Sequence, residues 1–241
     1  MARANPALSV KKTVAPAPHD PALAPQAGFA PNNPKHPVSE HDPYRLSVAK
    51  IWCFAPGDPN PRGAGSAVFI ASDVLLTVGH VLFDPAEYGS ARDHGYVDHV
   101  RITSPWFPIP AAAAETKRVV VTPGWARPHP RRDGDLGVVR LNAPVGGIDP
   151  LIPQAASNSD LQGQKVAVYG YPSVSQQLYQ ALGTCVALET QFVYHTADAS
   201  RGESGSPLLA DLPTGAALVG LHRAGMGETP NGIPPSVSAS G

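Results

Sequence analysis

The chain has 241 residues with 42% apolar content, enough for one large domain or two small ones around a packed core. Charged residues make up 15% at net charge −1, so neither a basic field for nucleic acid nor an acidic field for a basic partner is present. No run of 18 apolar residues occurs, which excludes a membrane-spanning helix, and 28 prolines with 23 glycines disfavour a helical bundle.

Residues 1–44 hold nine prolines and only two aromatics, Phe29 and Tyr44. Such a stretch cannot bury enough apolar surface to offset its ordering entropy, and it reads as a disordered tail or pro-segment. Its first residues, Met1-Ala-Arg-Ala-Asn-Pro6, lack the apolar core of a secretory signal. The stretch up to about residues 28–34 is expected to be trimmed or disordered in the working protein.

From Arg45 short β-branched and aromatic runs alternate with Gly, Pro, Asn and Asp. They are Leu46–Phe54, Ser66–Ile70, Val74–Val78, Val97–Ile102, Arg118–Thr122, Leu136–Leu141, Lys165–Tyr171, Cys185–His195, Ser206–Leu209 and Ala216–His222. This pattern predicts an all-β fold of antiparallel strands. The best helical turn is a short one at Gly79–Phe83. Two successive barrels are the economical arrangement, one over about 45–143 and one over about 165–233, dividing near Pro144–Gln164. Cys53 and Cys185, 132 residues apart, allow at most one bridge and match no zinc spacing.

Three segments carry chemistry. Gly65 to Val81 reads as a strand pair ending in His80. Asp133-Gly-Asp135-Leu-Gly-Val-Val-Arg-Leu141 sets an Asp before an apolar strand. Asp198-Ala-Ser-Arg-Gly202-Glu203-Ser204-Gly205-Ser206-Pro-Leu-Leu209 runs a Gly-flanked Ser into another strand. Each alone reads more simply as a turn or a loop.

Taken together, and in the order His, Asp, Ser, they resemble the chymotrypsin-fold serine proteases. The carrying residues are Leu76-Thr77-Val78-Gly79-His80, Asp135-Leu136-Gly137-Val138-Val139-Arg140-Leu141 and Gly202-Glu203-Ser204-Gly205-Ser206-Pro207. Ser204–Pro207, Gly170-Tyr171-Pro172, Gly220-Leu221-His222 and Pro43-Tyr44-Arg45 are similar to the bacterial glutamyl-endopeptidase-like branch, and the likeness spans about residues 29–233.

The resemblance implies two six-stranded antiparallel barrels within residues 45–241 and a serine endopeptidase acting through an acyl-enzyme. His80 would be the base, Asp135 its orienter and Ser204 the nucleophile, with the Gly202 and Ser204 N–H groups forming the oxyanion hole. It implies a protein or peptide substrate, no cofactor, no metal, no nucleic acid, no membrane, a monomer, and a secreted protein although no signal is written at this start. The alternatives are a non-catalytic binding domain on the same fold and a serine esterase.

The residue before the cut bond draws two competing signals. Asp198, six residues before Ser204, stands where trypsin selects Arg or Lys, but the glutamyl branch often has Asp there too. That branch lines its pocket with a His matched by His222, with the mature α-amino group, and with a Thr or Ser where this chain has Ala199. Arg223 could restore positive charge at the pocket rim, and Arg223-Ala224-Gly225 could pair with the substrate backbone. The balance predicts an acidic residue before the cut bond.

Two departures from the family stand out. Glu203 replaces the usual Asp or Asn before the nucleophile. After Asn231 the chain reads Gly-Ile-Pro-Pro-Ser-Val-Ser-Ala-Ser-Gly241, so the closing strand of the second barrel is expected to be short or lost. Asp93, His94, Asp98 and His99 form a polar cluster that fits no metal template and reads as a solvated loop. Trp106 and Trp125 read as core and loop packing.

Overall fold

Fourteen strands and a few single helical turns build the computed structural model, which describes residues 35–88, 95–126, 134–189, 191–213, 215–225 and 238–240. No described helix is long and apolar enough to cross a membrane. The first sheet holds β2 (Val48–Phe54), β3 (Pro61–Ala71), β4 (Val74–Thr77), β5 (His99–Thr103), β6 (Glu115–Thr116), β7 (Val119–Val121) and β8 (Gly137–Arg140) in the order β6-β5-β2-β3-β4-β8-β7, all antiparallel. β6 and β7 are the two ends of one kinked segment. The Arg140 N–H donates to Arg118 O between them (2.9 Å), which brings the sheet close to closure.

The second sheet holds β1 (His36–Pro37), β9 (Lys165–Gly170), β10 (Tyr179–Glu189), β11 (Phe192–His195), β12 (Pro207–Leu212), β13 (Gly215–Gly225) and β14 (Ser238–Ser240). Its order β1-β10-β11-β14-β13-β12-β9, with β9 also pairing β10, closes six strands into a barrel and leaves β1 added to its rim. The fold is the two-barrel all-β architecture of the chymotrypsin type.

The strands form where the sequence alternates large β-branched or aromatic residues with turn residues. The first core gathers Val48, Ile51, Phe69, Leu75, Val100, Ile102 and Val139, all essentially inaccessible, and reaches across to Tyr169, Tyr171 and Leu209 of the second barrel. Val166, Val168, Ala181, Cys185, Leu208 and Ala210 form a separate core within the second barrel. Cys53 and Cys185 are both free and buried, one in each core. Burial pushes the Cys53 thiol up to about 12, so it is an inert small hydrophobe there.

Four differences from the expected pattern have local causes. Cys185–His195, read as one strand, is two: β10 and β11 pair antiparallel with Glu189 opposite Phe192, and neither of the two residues between them in sequence is Gly or Pro. Residues 35–44, expected in the tail, belong to the fold: β1 pairs with β10 and Pro43–Leu46 forms a 3-10 turn capped by the Asp42 side chain. The closing strand β14 is only three residues long, yet it is inserted between β11 and β13; the Pro234-Pro235 stretch lies outside the described residues. Lys50, in a strand that reads as apolar, is buried because its ammonium reaches the carbonyls of Ser173 (3.2 Å) and Ser175 (2.7 Å) and sits 4.1 Å over the Trp52 ring.

Candidate active site

The register of the first barrel brings His80 to Asp135. β4 and β8 run antiparallel with Thr77 opposite Gly137, so the residues two beyond Thr77 and two before Gly137 also face each other. The chain turns into a single helical turn, α1 (Gly79–Leu82), immediately after β4. The His80 N–H donates to Asp135 Oδ1 (2.8 Å), and His80 Nδ1 lies 2.9 Å from Asp135 Oδ2. Facing a carboxylate, Nδ1 carries the proton and Nε2 is left as the basic nitrogen. The Asp135 side chain is 1% exposed and that of His80 28%, so the pair is dry on one side and open on the other.

Gly79 makes the approach possible. A Cβ there would lie 2.8 Å from the Trp125 ring and 3.1 Å from Asp135 Oδ1. Trp125 packs beside the His80 ring, centroids 6.1 Å apart, and donates its indole N–H to Phe83 O (3.0 Å).

Ser204 sits between the barrels. The Ser66 N–H of β3 donates to Ser204 O (2.8 Å), the Gly205 N–H donates to His222 O (2.8 Å), and the Ser204 hydroxyl donates to Arg223 O (3.3 Å). Ser66 Oγ joins the same junction, accepting from the Tyr171 N–H (2.9 Å) and donating to Gly202 O (3.3 Å).

The turn before Ser204 has a defined peptide orientation. Arg201 O accepts the Ser173 N–H (2.8 Å), and in a trans peptide the Gly202 N–H then points the opposite way. Gly202 adopts φ +96°, and a Cβ there would lie 2.3 Å from Ser173 N, so only glycine fits. Among the described residues neither the Gly202 nor the Ser204 N–H donates to another protein group. Gly202, Ser204, His80, Ser173 and Trp52 line one cleft of about 510 Å³.

Arg223 does not reach toward a pocket rim: its Nε lies 2.7 Å from Asp135 Oδ2, close enough for an ion pair although the N–H is not aimed at the oxygen, and its guanidinium sits 5.7 Å from the Trp125 ring centre. Asp198 is exposed, and Ala199 is half-buried beside it. Ala224 and Gly225 lie on β13, where β14 covers one edge of residues 222–225 and the pairing with β12 stops at Leu221. Asp93 and His94 lie outside the described residues. Asp98 bonds His99 Nδ1 (2.8 Å) and Lys117 Nζ (2.6 Å), so its carboxylate is already occupied. Among the described residues no three His, Cys, Asp or Glu side chains cluster as metal ligands do.

A family model, the trypsin-like peptidase domain, matches residues 65–221. The chain belongs to this peptidase family. No curated protein sequence matches this trypsin-like peptidase. Similar solved structures include a Glu endopeptidase in complex with MPD (20% identity, TM-score 0.63, covering 87% of this chain and 91% of that one). Others are the thermostable serine protease AL20 from an extremophilic microorganism (18%, 0.59, 81% and 90%) and the protease Anisep from Arthrobacter nicotinovorans (17%, 0.57, 81% and 89%).

His222 in this trypsin-like peptidase is buried, and its Nδ1 has no hydrogen-bond partner among the described residues. Burial, with His195, Lys35 and His80 nearby, pushes its imidazole down to about 3, and burial holds His195 near 4. Both rings are therefore neutral in the folded protein at working pH, while an unfolded His takes a proton near pH 6.5. Between about pH 6.5 and 4 the unfolded chain binds more protons than the native one, so stability rises with pH and falls on acidification. The expected loss is up to about 1.4 kcal/mol per pH unit for each ring. Urea unfolding at pH 7 and pH 5 should show it, with a shallower pH dependence in His222→Gln. Equal pH dependence in the two proteins would rule His222 out as a source.

Proposed function

We propose that this peptidase is a serine endopeptidase in which Ser204 attacks the scissile carbonyl, His80 takes and returns the proton, and Asp135 holds His80. The observation that carries this is the doubly bonded His80–Asp135 pair opening, through Nε2, onto the cleft that also holds Ser204. In the first step the Ser204 hydroxyl leaves Arg223 O and gives its proton to Nε2 as Oγ bonds to the carbonyl carbon. The charge moving onto the carbonyl oxygen meets the Gly202 and Ser204 N–H groups, fixed in place before the reaction. His80 then protonates the departing amine, and water repeats the sequence on the acyl-enzyme.

The test is a fluorophosphonate probe, which labels only an activated serine. It should label Ser204 in the folded wild type and fail on Ser204→Ala. A folded protein that resists the probe would be a binding domain on a protease fold.

The proposal includes preference for an acidic residue before the cut bond. It is supported by the likeness in fold to a Glu endopeptidase, by Gly220-Leu221-His222 on β13, and by the exposure of Asp198, which leaves that carboxylate hydrated. A peptide with Glu at that position should turn over at least about tenfold faster than its Arg counterpart, the worth of one charge-assisted contact. A faster Arg peptide would assign the pocket to Asp198.

A further inference from the structure

Glu203, the residue that departs from the family pattern, is not solvated. Its side chain is 2% exposed although it is a carboxylate. A buried carboxylate is tolerated only when its oxygens are paired. Here Oε2 pairs with Lys35 Nζ and also receives the Ser200 N–H and the Ser200 hydroxyl (3.0 Å). Lys35 Nζ donates in addition to Ser200 Oγ (2.7 Å), and its side chain is 12% exposed.

The next residues of the chain anchor Lys35 to the second barrel. His36 and Pro37 pair with Gln180 and Tyr179, and the Val38 N–H donates to Leu178 O (2.9 Å). The cation therefore comes from the barrel rim, 168 residues away in sequence, and ties down the residue directly before Ser204.

The other sides of Glu203 are closed as well. A Cβ on Gly170 would come within 2.8 Å of Glu203 Cγ, so the stem lies flat against β9. The Glu203 N–H donates to Ser200 O (3.1 Å), and Glu203 O accepts the Ser206 N–H (3.0 Å). The carboxylate can gain water only by leaving this nest. It would take the 200–204 turn with it, including the Gly202 peptide.

We infer that Lys35 is a positioning residue: its ammonium neutralises Glu203 and so fixes the turn that presents the Gly202 and Ser204 N–H groups to the substrate. The extra methylene of Glu over Asp lets the carboxylate fold back to Ser200 and meet a side-chain ammonium. Because the cation is a side chain, the pair forms without cleavage of the chain. This inference rests on the serine-peptidase reading above.

Lys35→Met is expected to lower kcat about 10²-fold, the effect of losing one preorganised oxyanion donor. KM should change less than threefold, and the loss should be equal for peptides with acidic and with neutral residues before the cut. Lys35→Cys should be equally impaired. Treatment with bromoethylamine, which rebuilds a lysine-like ammonium with sulfur in place of one methylene, should restore it to within several-fold, whereas iodoacetamide, which adds a neutral amide, should not. Both native cysteines are buried, so reagent reaches position 35 first. Each reagent acts on an already folded preparation, so a folding defect cannot mimic the result. Hydrogen exchange at residues 200–205 should quicken in Lys35→Met, a readout independent of turnover.

Unchanged kcat and exchange would overturn the inference. So would rescue by iodoacetamide, which would make Lys35 a packing residue. A loss confined to acidic substrates and seen in KM would make it a substrate ligand instead. A wild type that neither cleaves peptides nor reacts with fluorophosphonate refutes the serine-peptidase reading alone, and the exchange measurement still decides whether Lys35 fixes the turn.

Discussion

Ser204→Ala and His80→Ala are each expected to lower peptide turnover by on the order of 10⁴–10⁶ while leaving the protein folded. The fold should persist because neither side chain carries much of it. The Ser204 hydroxyl makes one bond, at 3.3 Å, to a carbonyl oxygen that solvent can satisfy in its place. Removing the imidazole of His80 leaves Asp135 with the His80 backbone N–H on Oδ1 and Arg223 beside Oδ2, so its charge is not stranded. Activity should nevertheless vanish, because no other described group in the cleft combines a basic nitrogen with a fixed orientation. The two losses should not add: in Ser204→Ala/His80→Ala the rate should equal that of either single variant, as for residues acting in one step. Circular dichroism and urea midpoints within about 1 kcal/mol of wild type would separate lost chemistry from lost structure. Retention of most turnover by Ser204→Ala would end the serine mechanism.

The parts of this site that sequence made legible are those whose chemistry is local. Thr77 to His80, Asp135 to Leu141 and Gly202 to Pro207 each combine a functional side chain with the strand or glycine that positions it, so the pattern survives in the linear chain. The strands were legible where β-branched runs ended in Gly, Pro, Asn or Asp. They were misread where the sequence between two strands lacked those residues, as between β10 and β11. β14 has no hydrophobic pattern at all; Ser-Ala-Ser forms a strand only because β11 and β13 leave a gap for it. Lys35, Lys50 and Arg223 show a different limit. Lysines and arginines usually read as solvated, and the meaning of these three lies in partners far along the chain: Glu203, the 172–175 carbonyls and Asp135. Glu203 was visible as an anomaly, but nothing near it in sequence named its partner. Tertiary pairing of charges leaves no periodic trace.

Gly205→Ala is expected to cost at least about 10²-fold in turnover, by a different route from loss of the nucleophile. Gly205 has φ +88°, in the left-handed region, which alone costs a non-glycine residue on the order of 1 kcal/mol or more. A Cβ would also lie 2.1 Å from both Ser66 O and Thr77 Oγ1, and 3.1 Å from Thr77 Cβ. These atoms cannot retreat cheaply. Thr77 Oγ1 donates to Ser66 O (2.8 Å), Thr77 pairs with Gly137 in the register that aligns Asp135 with His80, and the Ser66 N–H holds Ser204 O. The methyl would therefore push at the seam where both barrels meet the candidate site. If the barrels yield, the protein loses several kcal/mol of stability, in the range of overpacked cores. If they hold, Ser204 is displaced from the cleft, and a misplacement near 1 Å costs about 10²-fold in rate or more. Either way turnover at 25 °C should fall at least 10²-fold, with a lowered urea midpoint or lost fluorophosphonate labelling telling which element gave. Ser206→Ala, one residue on, serves as the control. Its buried Oγ has no hydrogen-bond partner among the described residues, so its removal should cost less than 1 kcal/mol and leave labelling intact. A Gly205→Ala protein with wild-type stability and labelling would mean that the seam is far softer than its close contacts require.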